Sequence, residues 1–219
     1  MKDTASIVVL ISGSGSNLQA LIDAELRGEL GGQITAVISN RPDAFGLERA
    51  RKAGIKTQVL NHKDYADRET YDQALTNAID HYQPELVVLA GFMRILTPDF
   101  VNHYHGKMLN IHPSLLPKYR GLNTHQRAID EGETRHGVSV HFVTPELDGG
   151  PVIIQATVDI LKNDTPASLA ERVQIQEHQI YPLAVKWFCQ KRIALVDKHF
   201  YFDGVERNTP LMFKNDKIS

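Results

Sequence analysis

An asparagine and a histidine two residues apart close an apolar segment of this chain. Asn110 and His112 lie in "KMLNIH" (107–112), directly before the proline-containing loop of "LNIHPSLLPKYRG" (109–121). A spacing of two places both side chains on the same face of a strand. An amide and an imidazole together can donate hydrogen bonds to a developing oxyanion and move a proton. The alternative is structural, with the two side chains satisfying each other and the loop backbone.

A carboxylate distant in sequence completes this set. Asp148 lies in "ELDGGP" (146–151), between two segments that we expect to be strands. A carboxylate within about 4–6 Å of an imidazole favours its charged form, so Asp148 would keep His112 protonated and orient it. The structural alternative is an ordinary Asp-Gly hairpin turn. We expect His141, in the preceding strand segment, to support the site rather than to react.

Small residues at 12–17, "SGSGSN", connect the first apolar segment to a helical pattern. The backbone N–H groups of Gly15, Ser16 and Asn17 would point outward at a helix N-terminus, a natural place for phosphate. Leu18 occupies the third glycine position of a dinucleotide fingerprint, and no Gly-Lys-Ser/Thr is present. A phosphate monoester site therefore fits, and a strand–helix turn capped by Ser and Asn is the alternative.

The segment "AGFMRILTP" (90–98) follows another strand pattern. Phe92, Met93, Ile95 and Leu96 would offer apolar surface beside the cleft, suited to a flat aromatic ligand, because pockets are mostly apolar. We expect at least two of these four side chains to pack into the core instead.

The elements that position these residues alternate between strand and helix patterns. We predict strands at 6–12, 34–39, 57–60, 85–91 and 107–112, and helices at 17–27, 46–54 and from Tyr71 to Tyr82, the last capped by Asp67. This rhythm predicts an α/β fold with a Rossmann-like open, mostly parallel twisted sheet and helices on both faces. In such sheets ligands bind outside the carboxyl ends of the strands, where Asn110 and His112 lie.

The pattern changes after residue 120. We predict a helix at 124–132, followed by antiparallel strands at 137–143 and 152–160. A long helix at 165–188 should be capped by Thr165, with Pro166 in its first turn and a kink at Pro182. Antiparallel C-terminal strands should follow near 193–196 and 199–202.

Composition excludes several classes of protein. The 219 residues have a formal net charge of -2 and contain no block of five like charges, so a nucleic-acid or membrane partner is not expected. The N-terminal apolar run is too short for a signal peptide, and the single Cys189 cannot form an internal disulfide, which suits a cytoplasmic protein. The ten histidines lack paired ligand spacing, and we predict no metal.

Six segments together resemble the phosphoribosylglycinamide formyltransferases (glycinamide ribonucleotide transformylases), folate-dependent enzymes of purine synthesis. The resemblance covers about residues 6–190 and rests on "VVLISGSGSNLQALI", "SNRPDAFGLERARKAGI", "LVVLAGFMRIL", "LNIHPSLLPKYRG", "GVSVHFVTPELDGGPVI" and "RVQIQEHQIYP". The Asn-x-His-Pro-Ser-Leu-Leu-Pro and Leu-Asp-x-Gly-Pro segments mark the wider superfamily that uses 10-formyltetrahydrofolate. The Gly-Ser-Gly-Ser-Asn and Gln-x-x-Glu-His segments indicate this member.

The resemblance implies transfer of a formyl group from 10-formyltetrahydrofolate, as co-substrate, to the amine of glycinamide ribonucleotide. It assigns catalysis to Asn110, His112 and Asp148; ribonucleotide binding to Gly15, Ser16, Asn17 and Glu177; and folate binding to Arg68, Met93, Arg94, Ile95, Leu96 and Asn110. It also implies a single domain over 1–219, with a phosphate-binding half (1–105), a catalytic and folate half (106–190) and a C-terminal extension (191–219). The oligomeric state is not determined, and a weak homodimer stays open.

Two positions need further explanation. Glu177 interrupts the apolar stripe of Leu169 and Val173, so its carboxylate needs a partner, either a nearby Arg or Lys or a substrate hydroxyl or amine. The segment 120–123 reads Arg-Gly-Leu-Asn where the family has Pro-Gly-Leu-His, and an Arg there is more similar to the methionyl-tRNA formyltransferases.

Other functions remain as alternatives. A formyltetrahydrofolate deformylase shares the catalytic trio but has an extra N-terminal domain, whereas here the first strand begins near residue 6. A methionyl-tRNA formyltransferase has an additional C-terminal RNA-binding domain, which a chain of this length without basic surplus does not suggest. A regulator that binds a phosphosugar would leave Asn110, His112 and Asp148 replaceable.

Overall fold

The computed structural model describes residues 4–214 and 217–218. Along the chain its elements are β1 (Ala5–Ile11), α1 (Ser16–Leu26), β2 (Gly32–Ser39), α2 (Gly46–Lys52), β3 (Lys56–Val59), a 3-10 turn (His62–Asp64), α3 (Arg68–Asp80), β4 (Leu86–Leu89), α4 (Pro98–His103), β5 (Met108–His112), α5 (Thr124–Asp130), β6 (Arg135–Phe142), β7 (Val152–Asp159), α6 (Pro166–Cys189), β8 (Ile193–Val196), β9 (His199–Phe202), β10 (Val205–Arg207), β11 (Leu211–Lys214) and β12 (Lys217–Ile218).

A nine-stranded sheet forms the centre, in the order β12-β11-β7-β6-β5-β4-β1-β2-β3. Strands β3, β2, β1, β4 and β5 pair in parallel, and β6 and β7 extend the sheet antiparallel. A separate antiparallel sheet of order β10-β9-β8 follows α6. The predicted fold class is therefore confirmed, including the antiparallel strands near the C-terminus.

Alternating side chains of β1 enter two different cores, as expected for a strand covered on both faces. Ile7, Val9 and Ile11 join the core beneath α1, α2 and α6, whereas Val8 and Leu10 join the core beneath α3 and α4. All five side chains are fully buried. The sheet is therefore packed on both faces, and the side chains at its strand ends are held at fixed positions.

Helix starts follow the capping residues that the sequence predicted. Asp67 accepts a hydrogen bond from Thr70 N–H at 2.8 Å, and the same box arrangement at Thr165 begins α6 before Pro166. Helix α3 ends at Asp80, so Tyr82 lies beyond the helix rather than in it. Helix α6 continues through Pro182 as one element.

Within residues 4–214 and 217–218, none of the helices combines the length and apolar character that crossing a membrane requires.

Candidate active site

The carboxyl ends of the parallel strands meet at one edge of the sheet. In the ladder, Asn110 pairs with Leu89 of β4 on one side and with His141 of β6 on the other. His112 is the last residue of β5 and is buried, while Asn110 is half-buried. Both side chains lie on the α3 and α4 side of the sheet, because their neighbours Leu109 and Ile111 join the opposite core.

The loop between β6 and β7 brings Asp148 to this edge. One carboxylate oxygen of Asp148 lies 3.5 Å from His112 Nδ1, and the other lies 3.7 Å from His141 Nε2. The Asp148 side chain is only 8% exposed, and its backbone adopts a left-handed φ of 47°. Gly121 N–H donates to Asp148 at 2.9 Å, which fixes the carboxylate between the two loops. The sequence-predicted trio is therefore brought together in space.

The ring of His112 is held from two directions. Its Nε2 lies 2.8 Å from the Tyr119 carbonyl, an acceptor, so this nitrogen is the donor. Its Nδ1 faces the Asp148 carboxylate. A ring that also has a proton on Nδ1 would present an N–H beside the Asp148 carboxylate that can donate to a developing oxyanion.

His141 has the opposite protonation pattern. Its Nδ1 donates to the Phe142 carbonyl at 2.8 Å, which leaves Nε2 as an acceptor for the Asn110 amide N–H at 3.1 Å. Burial lowers the pKa of His141 to about 4, so the ring is neutral at pH 7. A neutral His141 thus fixes the orientation of the Asn110 amide, whose second N–H is left to face a ligand.

The loop that contains Arg120 closes over the same edge. The Arg120 guanidinium pairs with Glu146, which lies two residues before Asp148. Both side chains are largely exposed, so this ion pair contributes little to stability. Its position nevertheless links the loop after β5 to the loop that contains Asp148.

The turn before α1 has the geometry of an anion site. Gly15 adopts a φ of 71°, and a Cβ there would lie 2.6 Å from the Cα of Gly46, so only glycine fits. Helix α1 has no side-chain cap and no acidic residue in its first turn. The N–H groups of Ser16 and Asn17 therefore have no acceptor within the helix, and the helix dipole favours an anion in front of them.

Helix α6 brings Glu177 to this turn. The Asn17 side-chain amide donates to the Glu177 carboxylate at 2.7 Å. Burial raises the pKa of Glu177, and the Asn17 hydrogen bond opposes this. Among residues 4–214 and 217–218 the hydrogen-bond partner of Glu177 is therefore not the Arg or Lys that the sequence allowed. It is the amide of Asn17 in the turn before α1, residues 12–17, which we call the phosphate turn after its predicted ligand.

Residues 92–97, which we call the folate loop after their predicted ligand, lie beside the same edge between β4 and α4. Met93 and Ile95 are 70% and 60% exposed, whereas Phe92 and Leu96 pack against the core beneath α3 and α4. Two of the four apolar side chains therefore form surface and two form core, as the sequence predicted. Arg94 lies over the Tyr71 ring at 4.9 Å.

Arg68 is the first residue of α3, one helical turn before Tyr71, whose ring lies under Arg94. Its side chain is 43% exposed, and its ion pair with Glu69 is long, at 3.8 Å. The guanidinium is therefore weakly held within the protein.

Several side chains that shape the site were not singled out from the sequence. The buried residues Ser12 and Asp72 both bond the folate loop, at 2.8 Å to Met93 N–H and 2.6 Å to Thr97 N–H. The helical pattern could have indicated Asp72, because this carboxylate lies three residues before the buried Leu75 on the apolar face of α3.

A second histidine pair lies behind the trio, on α5 and β6. His136 Nε2 lies 3.1 Å from His125 Nδ1. Burial, the larger cause, and the neighbouring His125 together lower the pKa of His136 to about 4. The unfolded chain, with an ordinary imidazole, binds this proton below about pH 6.5, whereas the folded chain does not until about pH 4. Stability is therefore lost as the pH falls through this interval.

We expect His136→Gln to reduce this acid sensitivity. Between pH 7 and pH 4 the variant should lose roughly 2 kcal/mol less unfolding free energy than the wild type, because it has no imidazole to protonate. Urea unfolding at both pH values measures the difference, and equal losses in the two proteins would contradict the assignment.

No group of three or more His, Cys, Asp or Glu side chains suited to a metal ion occurs in residues 4–214 and 217–218.

A model of the formyl transferase family matches residues 5–185. The chain belongs to this family. Phosphoribosylglycinamide formyltransferase of Escherichia coli (strain K12) is 56% identical over 199 residues, which are 91% of this chain and 94% of that protein. The Haemophilus influenzae protein of the same name is 48% identical over 198 residues, 90% of this chain and 93% of that protein.

Solved structures agree with this assignment. Phosphoribosylglycinamide formyltransferase from Coxiella burnetii in complex with CHES has a TM-score of 0.89 at 52% identity and covers 93% of this chain and 96% of that chain. The edge of the sheet that holds Asn110, His112 and Asp148 in this formyl transferase lies inside the matched residues 5–185, and strands β8–β12 follow them.

Proposed function

We propose that this formyl transferase transfers the formyl group of 10-formyltetrahydrofolate to the amine of glycinamide ribonucleotide. The products are formylglycinamide ribonucleotide and tetrahydrofolate, in de novo purine biosynthesis. The observation that supports this most directly is the buried contact of Asp148 with His112 beside Asn110, in a chain 56% identical to the Escherichia coli enzyme.

Each substrate has a surface that suits it. The free N–H groups of Gly15, Ser16 and Asn17 would bind the phosphate of the ribonucleotide, an arrangement that helix N-termini favour. Glu177, next to Asn17, would hold a ribose hydroxyl or the amine. The site is thus charged and polar at one end.

The other end suits a folate. Met93 and Ile95 offer exposed apolar surface, Arg94 and Leu96 belong to the same loop, and the family resemblance adds Arg68 as a folate contact. Asn110 pairs with Leu89 at the end of β4, the strand that leads into the folate loop, and would contact the folate as well. 10-Formyltetrahydrofolate supplies the formyl carbon there.

The trio would then act on the reacting atoms. The substrate amine attacks the formyl carbon, and the carbonyl oxygen becomes an oxyanion. The free N–H of Asn110 and the Nδ1–H of His112 donate to this oxyanion, and each well-placed donor is worth about 3–4 kcal/mol. The bond to the folate nitrogen breaks as that nitrogen takes up the proton lost by the amine. Asp148, whose carboxylate faces His112 Nδ1, would orient the ring and attract its positive charge.

We also propose that residues 1–219 form one domain made of the two halves and the extension described above, and that the enzyme is cytoplasmic. Burial raises the pKa of the single Cys189 to about 12, which suits an unreactive thiol. Whether the protein forms a weak homodimer can be decided by sedimentation at several concentrations.

One assay tests the function. The protein is mixed with 10-formyltetrahydrofolate, and tetrahydrofolate release is followed with and without glycinamide ribonucleotide. We expect release only when the ribonucleotide is present. Release into water without it would indicate a deformylase, and no release in either mixture would refute formyl transfer.

A further inference from the structure

Two buried side chains hold the folate loop from behind without reaching its outer surface. Met93 N–H donates to Ser12 Oγ at 2.8 Å, and Thr97 N–H donates to Asp72 Oδ2 at 2.6 Å. Ser12 is 4% exposed and Asp72 is 2% exposed. The two anchors therefore lie near the two ends of the loop, on different elements of the fold.

The direction of the Ser12 hydrogen bond is fixed by a third residue. The Ser12 hydroxyl donates to Asn40 Oδ1 at 2.6 Å, and Asn40 is itself only 2% exposed. Since the single hydroxyl proton is used on Asn40, the lone pairs of Ser12 Oγ are left for Met93 N–H. Ser12 thus connects the end of β1, directly before the phosphate turn, to the start of the folate loop.

Asp72 is an unusual residue for its position. Its Oδ2 accepts from Thr97 N–H, but its Oδ1 is buried and has no hydrogen-bond partner among residues 4–214 and 217–218. A buried carboxylate with incomplete hydrogen bonding costs stability. The presence of Asp72 on the apolar face of α3 is explained if its hydrogen bond to Thr97 N–H serves a function.

The loop depends on these anchors for its shape. Residues 92–97 form neither helix nor strand, and the side chains of Met93 and Ile95 project into solvent. A segment without the backbone hydrogen bonds of a helix or a strand can adopt many conformations. The conformations that do not fit a flat ligand must be disfavoured before that ligand can bind tightly.

We propose that Ser12 and Asp72 are positioning residues for the folate. They hold the folate loop in its binding shape through Met93 and Thr97, and neither touches the folate. This inference rests on the proposed function. Because the trio lies on β5 and on the loop between β6 and β7, loss of an anchor should weaken folate binding and leave the chemical step nearly unchanged.

Kinetics of Ser12→Ala and Asp72→Ala test the proposal. Ser12→Ala leaves the partly buried Met93 N–H, and Asp72→Ala the buried Thr97 N–H, without its acceptor, so we expect the KM for 10-formyltetrahydrofolate to rise roughly fivefold to thirtyfold. The kcat and the KM for the ribonucleotide should stay within about threefold of wild type, because the machinery on β5 and the loop of Asp148 is untouched.

Matched variants separate positioning from general damage. Asp72→Asn keeps an oxygen that can accept from Thr97 N–H and should recover most of the folate affinity that Asp72→Ala loses. Ser6→Ala removes a hydroxyl from the opposite end of β1, where Ser6 bonds Thr35 at 3.1 Å, and should leave the KM for folate unchanged. If Ser12→Ala does not fold, Ser12→Cys keeps most of the volume and replaces the acceptor by a weak one.

Direct titration of the folded variants with tetrahydrofolate completes the test. Normal affinity in Ser12→Ala and Asp72→Ala, or an equal rise in both KM values with a fall in kcat, would overturn the inference. Failure of the wild type itself to bind tetrahydrofolate would instead refute the proposed function, so the two failures are distinguishable.

Discussion

Asp148→Asn should lower kcat roughly a thousandfold while the protein stays folded. The substitution keeps the volume of the side chain and an oxygen that can accept from Gly121 N–H, 2.9 Å away in the wild type. It removes the negative charge that faces His112 Nδ1 at 3.5 Å in a site where the carboxylate is 8% exposed. Without that charge the imidazolium loses its partner, and the oxyanion loses its charged donor.

Initial rates with both substrates saturating measure this effect, and both KM values should change by less than about fivefold. Asp197→Asn is a matched control, because Asp197 is an exposed residue that also has a left-handed φ, of 55°. It should retain wild-type activity. Turnover of Asp148→Asn within tenfold of wild type would show that the carboxylate has no role in the reaction.

The trio could be predicted because local rules place two of its members. A spacing of two in a strand sets Asn110 and His112 on one face, and parallel strands expose their carboxyl ends at one edge. The position of Asp148 could not be predicted from local rules alone, because an Asp-Gly pair after a strand fits a hairpin turn equally well. Here a nine-residue connection between β6 and β7 lets Asp148 return to the end of β5.

Other features depend on contacts that no local pattern encodes. The neutral state of His141 follows from its burial, which outweighs the opposing effect of the Phe142 carbonyl; both are properties of the folded sheet. The partner of Glu177 is Asn17, 160 residues earlier in the chain. Strand β11 pairs in parallel with β7 near the edge of the sheet, and such a pairing is set by tertiary packing rather than by the four residues of the strand.

The ring of His112 has both a structural and a chemical task, and two substitutions separate them. His112→Ala should lower kcat about a thousandfold, because the charged donor to the oxyanion is lost. It should also lower the unfolding free energy by roughly 1–3 kcal/mol, because the buried Tyr119 carbonyl, 2.8 Å from Nε2, loses its donor and a cavity remains.

His112→Gln should recover the stability but not the activity. A glutamine amide can donate to the Tyr119 carbonyl and fill much of the space, so the urea midpoint should return most of the way to that of wild type. Its neutral side chain cannot present a charged N–H beside Asp148, so kcat should stay within about tenfold of His112→Ala. If His112→Gln recovered activity in proportion to stability, the imidazole would be a structural residue, and proton and oxyanion chemistry would have to be assigned elsewhere.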